Sequence, residues 1–306
     1  MKFSTTGISL LILAMTLISL SFCRKTSKVL KKLKNQHKSH RLHRPDHTED
    51  NTVLLQELHL NEIASELTYS NYNNMNFGTA SSPKYVFQEG TSKLVQTASL
   101  AYLYGISSVD PSMFILSLRG TVNLCNLKDD LRFAPVDYDT ANCEGCKVHK
   151  GFIEAYNEIK TQVLDVVDAK LKKFAEGTQV VKRVLITGHS LGGALSELVT
   201  NDLIEKYVTT KVEADKTLGS KFKFYNVNFG KPRVGNEQWA NHINKFITDK
   251  NLERFVRVTF ANDLIPKVPA NIGDFKFVHP GTEIHFEYKS YIWGGVNSEV
   301  RYLFNF

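Results

Sequence analysis

Residues 183–207 run Arg183-Val-Leu-Ile-Thr-Gly-His-Ser-Leu-Gly-Gly-Ala-Leu-Ser-Glu-Leu-Val-Thr-Asn-Asp-Leu-Ile-Glu-Lys-Tyr207. The first five residues are mostly apolar and β-branched, which predicts a short buried strand. The residues from Ala194 onward repeat apolar side chains at helical spacing, so we expect a helix that ends near Tyr207. A Gly-rich turn, Gly188 to Gly193, is the only sequence between them. The stretch therefore predicts a strand that turns sharply into a helix.

The same alternation continues on both sides of this stretch. Strands are predicted at 114–118, 222–229 and 255–260, and helices at 54–69, 151–176 and 237–249. Strands that alternate with helices indicate an α/β fold with a mostly parallel central sheet and helices on both faces. The chain has 306 residues, 42% of them hydrophobic, which is enough for one large domain.

The sharp turn carries the first candidate for chemistry. Gly188-x-Ser190-x-Gly192 has the spacing of a nucleophile elbow, in which glycines on both sides of the serine leave room for a strained backbone. Amides at the start of the following helix can stabilise an oxyanion formed at Ser190. Asp263 follows the strand 255–260, at the sheet edge where sites in open α/β folds lie, so it is the candidate acid that orients a base. The alternative for Asp263 is a local cap or Asx turn before Leu264.

The N-terminal residues predict export. Residues 1–23 hold one cation, Lys2, and an apolar run too short to span a bilayer comfortably, so we expect a cleaved signal peptide, with an uncleaved anchor as the alternative. Residues 24–51 form a basic leader, with nine Lys and Arg between 24 and 44 and no acidic residue there. These nine account for the net charge of +7, so we expect no nucleic-acid binding by the rest of the chain. The predicted location is extracellular, with a lysosomal or vacuolar compartment as the alternative.

Four cysteines fit this compartment. Cys143 and Cys146 have two residues between them, and in an exported chain without a second Cys pair we expect them to form a disulfide rather than a redox or zinc site. Cys23 leaves with the signal peptide. Cys125 remains without an evident partner, and no metal site is predicted.

Six motifs follow one another along the chain as they do in the fungal-type (class 3) lipases, which this sequence resembles. They are Leu118-Arg-Gly-Thr121, Cys143-Glu-Gly-Cys-Lys-Val-His-Lys-Gly-Phe152, Thr187-Gly-His-Ser-Leu-Gly-Gly193, Gly230-Lys-Pro-Arg-Val-Gly235, Asn262-Asp-Leu-Ile-Pro266 and Phe277-Val-His-Pro-Gly-Thr-Glu283. The resemblance implies an α/β-hydrolase fold over residues 52–306 and hydrolysis of acylglycerol esters without a cofactor. It implies Ser190 as nucleophile, Asp263 as the triad acid, and the backbone amides of Thr121 and Leu191 as the oxyanion hole.

The resemblance also places a lid after Thr121. Leu124, Leu127 and Leu131 share one helical face there, which suits contact with a lipid interface, although core packing is the alternative. We therefore expect a monomer whose substrate is a lipid ester at an oil–water or membrane interface.

The family's catalytic histidine has no counterpart in this sequence. The histidines after Asp263 are His279, which matches a structural histidine of the family, and His285. We expect the C-terminal part that carries the base to be missing, with His285 as a substitute base or an inactive protein as alternatives. The predicted function is a secreted serine esterase of the triacylglycerol lipase type. The alternatives are a phospholipase A1 or feruloyl-type esterase, and a lipase-fold protein that binds lipid surfaces without catalysis.

Overall fold

In the part of the chain that the structure describes, the central feature of the computed structural model is an eight-stranded sheet. The structure describes residues 86–97, 100–120, 134–138, 143–177, 180–260, 263–271, 275–289 and 299–305, the last range and 287–289 as backbone only. In their order across the sheet, the strands are β1 Lys93–Gln96, β2 Ala101–Ile106, β3 Met113–Leu118, β6 Arg183–His189, β7 Lys223–Phe229, β8 Arg254–Phe260, β9 Thr282–Lys289 and β10 Glu299–Asn305. A separate hairpin-like pair is formed by β4 Pro135–Asp137 and β5 Lys147–His149.

Pairing within the sheet is parallel in the middle and antiparallel at the edges. The strands β3, β6, β7, β8 and β9 run parallel, whereas β1, β2 and β10 pair with antiparallel neighbours. A mostly parallel sheet needs helical crossovers between its strands. The predicted α/β architecture is therefore confirmed.

In the described ranges, four helices connect these strands: α1 Lys150–Glu176, α2 Leu191–Tyr207, α3 Glu213–Gly219 and α4 Glu237–Thr248. The buried side chains of α1, α2 and α4 join alternate strand residues in one large core cluster. The other strand residues form a second cluster on the opposite face, where Val86 and Phe87 cover them in the described part of the chain. Helix α2 lies deepest, because most of its residues are buried on all sides.

Several sequence predictions fall outside the described residues. These are the signal peptide 1–23, the basic leader 24–51, the helix predicted at 54–69, the oxyanion residue Thr121, Cys125, and the lid residues Leu124, Leu127 and Leu131. Within the described ranges, the structure shows no helix long and apolar enough to cross a bilayer.

Candidate active site

Ser190 occupies the turn between β6 and α2 with a backbone conformation that L-residues rarely adopt. Its φ is 56° and its ψ is −125°, and it is one of two non-glycine residues with positive φ in the described part of the chain. Such backbone strain costs about 1–3 kcal/mol and persists only where the surroundings enforce it. Here the enforcement comes from β6 on one side and α2 on the other, which leave a single residue in which to reverse direction.

The glycines of the motif are required by close backbone approach. A Cβ added at Gly188 would lie 2.3 Å from the carbonyl oxygen of Gly192, and one added at Gly192 would lie 2.0 Å from the carbonyl oxygen of Leu118. Real Cβ atoms do not come this near to another backbone atom. The turn can therefore sit against the end of β3 only because both positions lack side chains.

The hydroxyl of Ser190 is buried and makes no hydrogen bond to a described residue. Its side chain is fully buried, and Oγ has no partner among the described residues. Leu191 is the first residue of α2, so its amide has no acceptor within the helix and is available to a developing oxyanion. Thr121, the other predicted amide donor, lies outside the described residues.

Asp263 lies just beyond β8, where one oxygen of its carboxylate takes part in a local turn and the other faces the elbow. Its Oδ1 accepts a hydrogen bond of 3.0 Å from the amide of Ile265, so it forms the Asx turn considered from sequence. Its Oδ2 faces Gly230, where an added Cβ would be 3.0 Å from that oxygen and 3.4 Å from Nε2 of His189. Burial raises the pKa of Asp263, while the Ile265 amide and Lys267 act in the opposite direction.

The structure does not bring His285 to Ser190. The sheet register aligns His189, the residue before Ser190, with Phe229 on β7 and Val258 on β8, while His285 pairs with Thr259 one strand further. Three strand spacings separate the two residues, on the order of 14 Å. Nδ1 of His285 lies instead 2.7 Å from Oγ1 of Thr259.

The remaining histidines near the elbow are neutral. Burial lowers the pKa of His189 to about 4. Burial and the nearby cations Lys231 and Arg257 lower the pKa of His279 to about 2, against a hydrogen bond to Pro266 that raises it. His279 donates from Nε2 to the carbonyl of Pro266 at 2.8 Å, which fits the structural role implied for it from sequence.

Sequence reasoning missed a buried ion pair beneath the elbow. Glu197 on α2 and Lys231 after β7 are both fully buried, with Oε2 and Nζ 2.5 Å apart. The signal was present in the sequence, because Glu197 is the only charged residue among the first nine residues of α2, which are otherwise mostly apolar. A charge in such a helix must be paired, but the pattern does not identify its partner.

Cys143 and Cys146 form a disulfide, with Cα atoms 5.6 Å apart, in the loop before β5. The adjacent Gly145 carbonyl accepts a hydrogen bond from the side chain of Asn236, which also caps α4. The described residues contain no group of His, Cys, Asp and Glu side chains arranged to hold a metal ion.

Comparison with known proteins links this geometry to one family. The family described as lipase (class 3) matches residues 115–272, about half of the chain. The lipase of Rhizomucor miehei is 32% identical over 165 residues, which are 54% of this chain and 39% of that protein. The secreted mono- and diacylglycerol lipase 1 of Fusarium solani is 29% identical over 166 residues, 54% of this chain and 42% of that protein. The chain thus spans about two fifths of the length of these relatives.

Solved structures show the same fold. Lipase II from Rhizopus niveus superposes with a TM-score of 0.61 at 23% identity, over 82% of this chain and 85% of that chain. The Rhizomucor miehei lipase in its native propeptide complex gives a TM-score of 0.57 at 22% identity, over 78% of this chain and 70% of that chain. At this level of identity the likeness carries the fold alone.

Proposed function

This chain belongs to the class 3 lipase family, and from that premise and the geometry of the elbow we propose that it hydrolyses carboxylic esters of lipids through an acyl-enzyme on Ser190. The observation that carries the proposal is the strained backbone of Ser190 between β6 and α2, held by two glycines that admit no side chain. A strained serine at a strand-to-helix turn is the arrangement that exposes a nucleophile to helix N-terminal amides.

The roles follow from position. Ser190 Oγ attacks the ester carbonyl, and the amides of Leu191 and Thr121 stabilise the oxyanion that forms. Asp263 is the acid that orients a protonated imidazole, because its Oδ2 faces the elbow across Gly230. The substrate class is a lipid ester at an interface, contacted by Leu124, Leu127 and Leu131. Leu264, beside Asp263 and 53% exposed, adds an apolar side chain near the site.

The described residues do not place a general base beside Ser190. Ser190 Oγ has no hydrogen-bonded imidazole among the described residues, and His285 lies three strands away. A serine without a base keeps its proton, so only oxyanion stabilisation and binding would act, worth about 10³–10⁴ over water. We therefore propose a feeble hydrolase in this chain. The same observation favours a second candidate, a lipase-fold protein that binds lipid surfaces without turnover.

Three further features belong to the proposal. We propose that the protein is secreted. The apolar N-terminal run and the relatives named as secreted lipases support this location. A monomer is proposed. Substrates of the phospholipase A1 and feruloyl type are alternatives within the same reaction class.

The test is hydrolysis of a soluble p-nitrophenyl ester and of an emulsified triacylglycerol by the full chain, with Ser190→Ala and His285→Ala for comparison. We expect weak hydrolysis that falls in Ser190→Ala to the residual rate of the oxyanion amides and is kept in His285→Ala. Hydrolysis by Ser190→Ala at the wild-type rate would refute the proposed nucleophile. Full turnover that His285→Ala abolishes would make His285 the base and would require β9 to move.

A further inference from the structure

A chain of polar contacts runs through the core from the helix that follows Ser190 to the turn that holds Asp263. We call its members, Glu197, Lys231, His279 and the Pro266 carbonyl, the buried relay. Glu197 and Lys231 are its charged end, fully buried, with Oε2 and Nζ 2.5 Å apart. Glu197 lies seven residues after Ser190, on α2. Lys231 follows Gly230, where an added Cβ would lie 3.0 Å from Oδ2 of Asp263.

The charged end of the relay is fixed by several partners. Oε1 of Glu197 accepts a hydrogen bond of 2.5 Å from Nε1 of Trp239. Nζ of Lys231 also donates to the carbonyl of Pro232 at 3.1 Å. The stem of Lys231 packs against Gly193, where an added Cβ would be 3.0 Å from Lys231 Cβ. The third glycine of the elbow thus makes room for this lysine.

The other end of the relay reaches the turn of Asp263. Nζ of Lys231 is 3.4 Å from Nδ1 of His279, and Nε2 of His279 is 2.8 Å from the carbonyl oxygen of Pro266. An ammonium group only donates hydrogen bonds, so Nδ1 must accept and the ring proton must sit on Nε2. Lys231 and the Pro266 carbonyl therefore require the same tautomer of His279. Lys231 anchors Nδ1 of the ring whose Nε2 binds the short 3₁₀ turn Ile265–Lys267, which begins two residues after Asp263.

A purely stabilising role does not explain a buried ion pair. Two fully desolvated charges contribute little to stability over a well-packed apolar pair, and their replacement is often neutral or stabilising. Directional hydrogen bonds, by contrast, hold their partners in one geometry. The Asp263 turn makes the hydrogen bond from the Ile265 amide to Oδ1, so a turn that shifts also shifts the carboxylate.

We propose that Glu197 and Lys231 are positioning residues, which act through His279 to hold the turn of Asp263 in register with the elbow of Ser190. The role of Asp263 in this statement rests on the proposed function, whereas the coupling between the ion pair and the turn does not. Neither residue touches the reacting atoms.

The experiment compares three variants of the full chain. Lys231→Met removes the donor and leaves Glu197 buried without its cation. The double variant Lys231→Met with Glu197→Gln removes both charges but keeps an acceptor for Trp239. Asp202→Asn is the matched control, because Asp202 is on the same helix and binds Tyr138, Tyr156 and Lys160, none of which is in the 263–268 turn.

Amide hydrogen exchange of Ile265, Lys267 and Val268 is the first measurement, with thermal unfolding beside it. We expect Lys231→Met to lower Tm and to speed exchange in the turn at least tenfold. The double variant should regain most of the lost Tm while exchange in the turn stays fast, because apolar and neutral groups restore packing but not the hydrogen bond to Nδ1 of His279. Asp202→Asn should lower Tm without faster exchange there. Wild-type exchange rates in the double variant, or equal acceleration in Asp202→Asn, would overturn the proposal.

Two further readouts separate this proposal from the proposed function. The ¹⁵N spectrum of wild-type His279 should show a protonated Nε2 and an unprotonated Nδ1, and the opposite tautomer would refute the relay without any variant. Where hydrolysis is measurable, the double variant should lose about tenfold in kcat with KM for a soluble ester unchanged, and a KM change alone would contradict positioning. Absent hydrolysis in the wild type would refute the function and leave the exchange result standing.

Discussion

Replacing Ser190 by alanine should make the protein more stable. The hydroxyl is fully buried and has no hydrogen-bond partner among the described residues, so the folded chain bears its desolvation without compensation. An unsatisfied buried hydroxyl costs about 1–3 kcal/mol, and the backbone strain at φ 56° is equal for serine and alanine. We expect Ser190→Ala to raise the free energy of unfolding by about 1 kcal/mol, near the lower end because the helix N-terminus favours the hydroxyl oxygen.

Ser196 supplies the matched control on the same helix. It is as fully buried as Ser190, but its Oγ donates to the carbonyl of Gly193 at 2.7 Å and accepts from Nδ2 of Asn226 at 3.2 Å. Ser196→Ala removes both hydrogen bonds, so we expect it to lower the free energy of unfolding by about 1–2 kcal/mol. The same chemical change thus has opposite signs at two positions six residues apart.

Urea denaturation followed by tryptophan fluorescence measures both effects, with the disulfide kept oxidised. Equal m-values would show that the variants differ in stability and not in the surface exposed on unfolding. If Ser190→Ala lost as much stability as Ser196→Ala, the Ser190 hydroxyl would have to possess a hydrogen-bond partner, which would contradict its description as an unsatisfied buried group.

Three other predictions follow from single contacts. Gly192→Ala should cost about 3 kcal/mol or more, because its Cβ would meet the Leu118 carbonyl at 2.0 Å, whereas Gly90→Ala, with φ 72° but open space around it, should cost about 1 kcal/mol in the same denaturation assay. Stability should fall as the pH drops from 6.5 toward 4, because burial lowers the pKa of His149 to about 4 and only the unfolded chain takes up the proton in that window. The slope is at most about 1.4 kcal/mol per pH unit for each such histidine, and His149→Phe should remove its share; an unchanged slope would count against the assignment. Replacing Cys143 and Cys146 together by alanine should cost about 2 kcal/mol, the loop-closure value for so short a loop, and an unchanged urea midpoint would contradict it.

The sequence predicted most accurately the bounds of single strands and helices, whose residues are neighbours along the chain. The strand predicted at 255–260 and the helix predicted at 151–176 each begin within one residue of the observed element and end with it. Helix α2 begins at Leu191 rather than at the predicted Ala194. Gly192 and Gly193 are poor helix formers, so helix propensity does not predict a helix there. Both positions need glycine because they lie close to β3 and Lys231. Propensity alone therefore placed the helix start one turn too late.

Contacts between distant residues could not be predicted in this way. Glu197 and Lys231 are separated by a helix, α3, and by β7, and only the folded sheet brings them together. The same holds for His285, whose distance from Ser190 is set by strand order and register. Motifs along the chain identify candidate residues, but the pairing of strands determines which of these residues come into contact.

Covalent labelling by a serine-directed phosphonate tests most directly whether Ser190 is an activated nucleophile. The full chain and Ser190→Ala are treated with the probe, digested and mapped by mass spectrometry, with Ser196→Ala as the control for a buried serine nearby. We expect slow labelling at Ser190 in the wild type and in Ser196→Ala, and no labelling in Ser190→Ala. Labelling at another serine, or a wild-type chain that stays unlabelled after prolonged exposure, would contradict it.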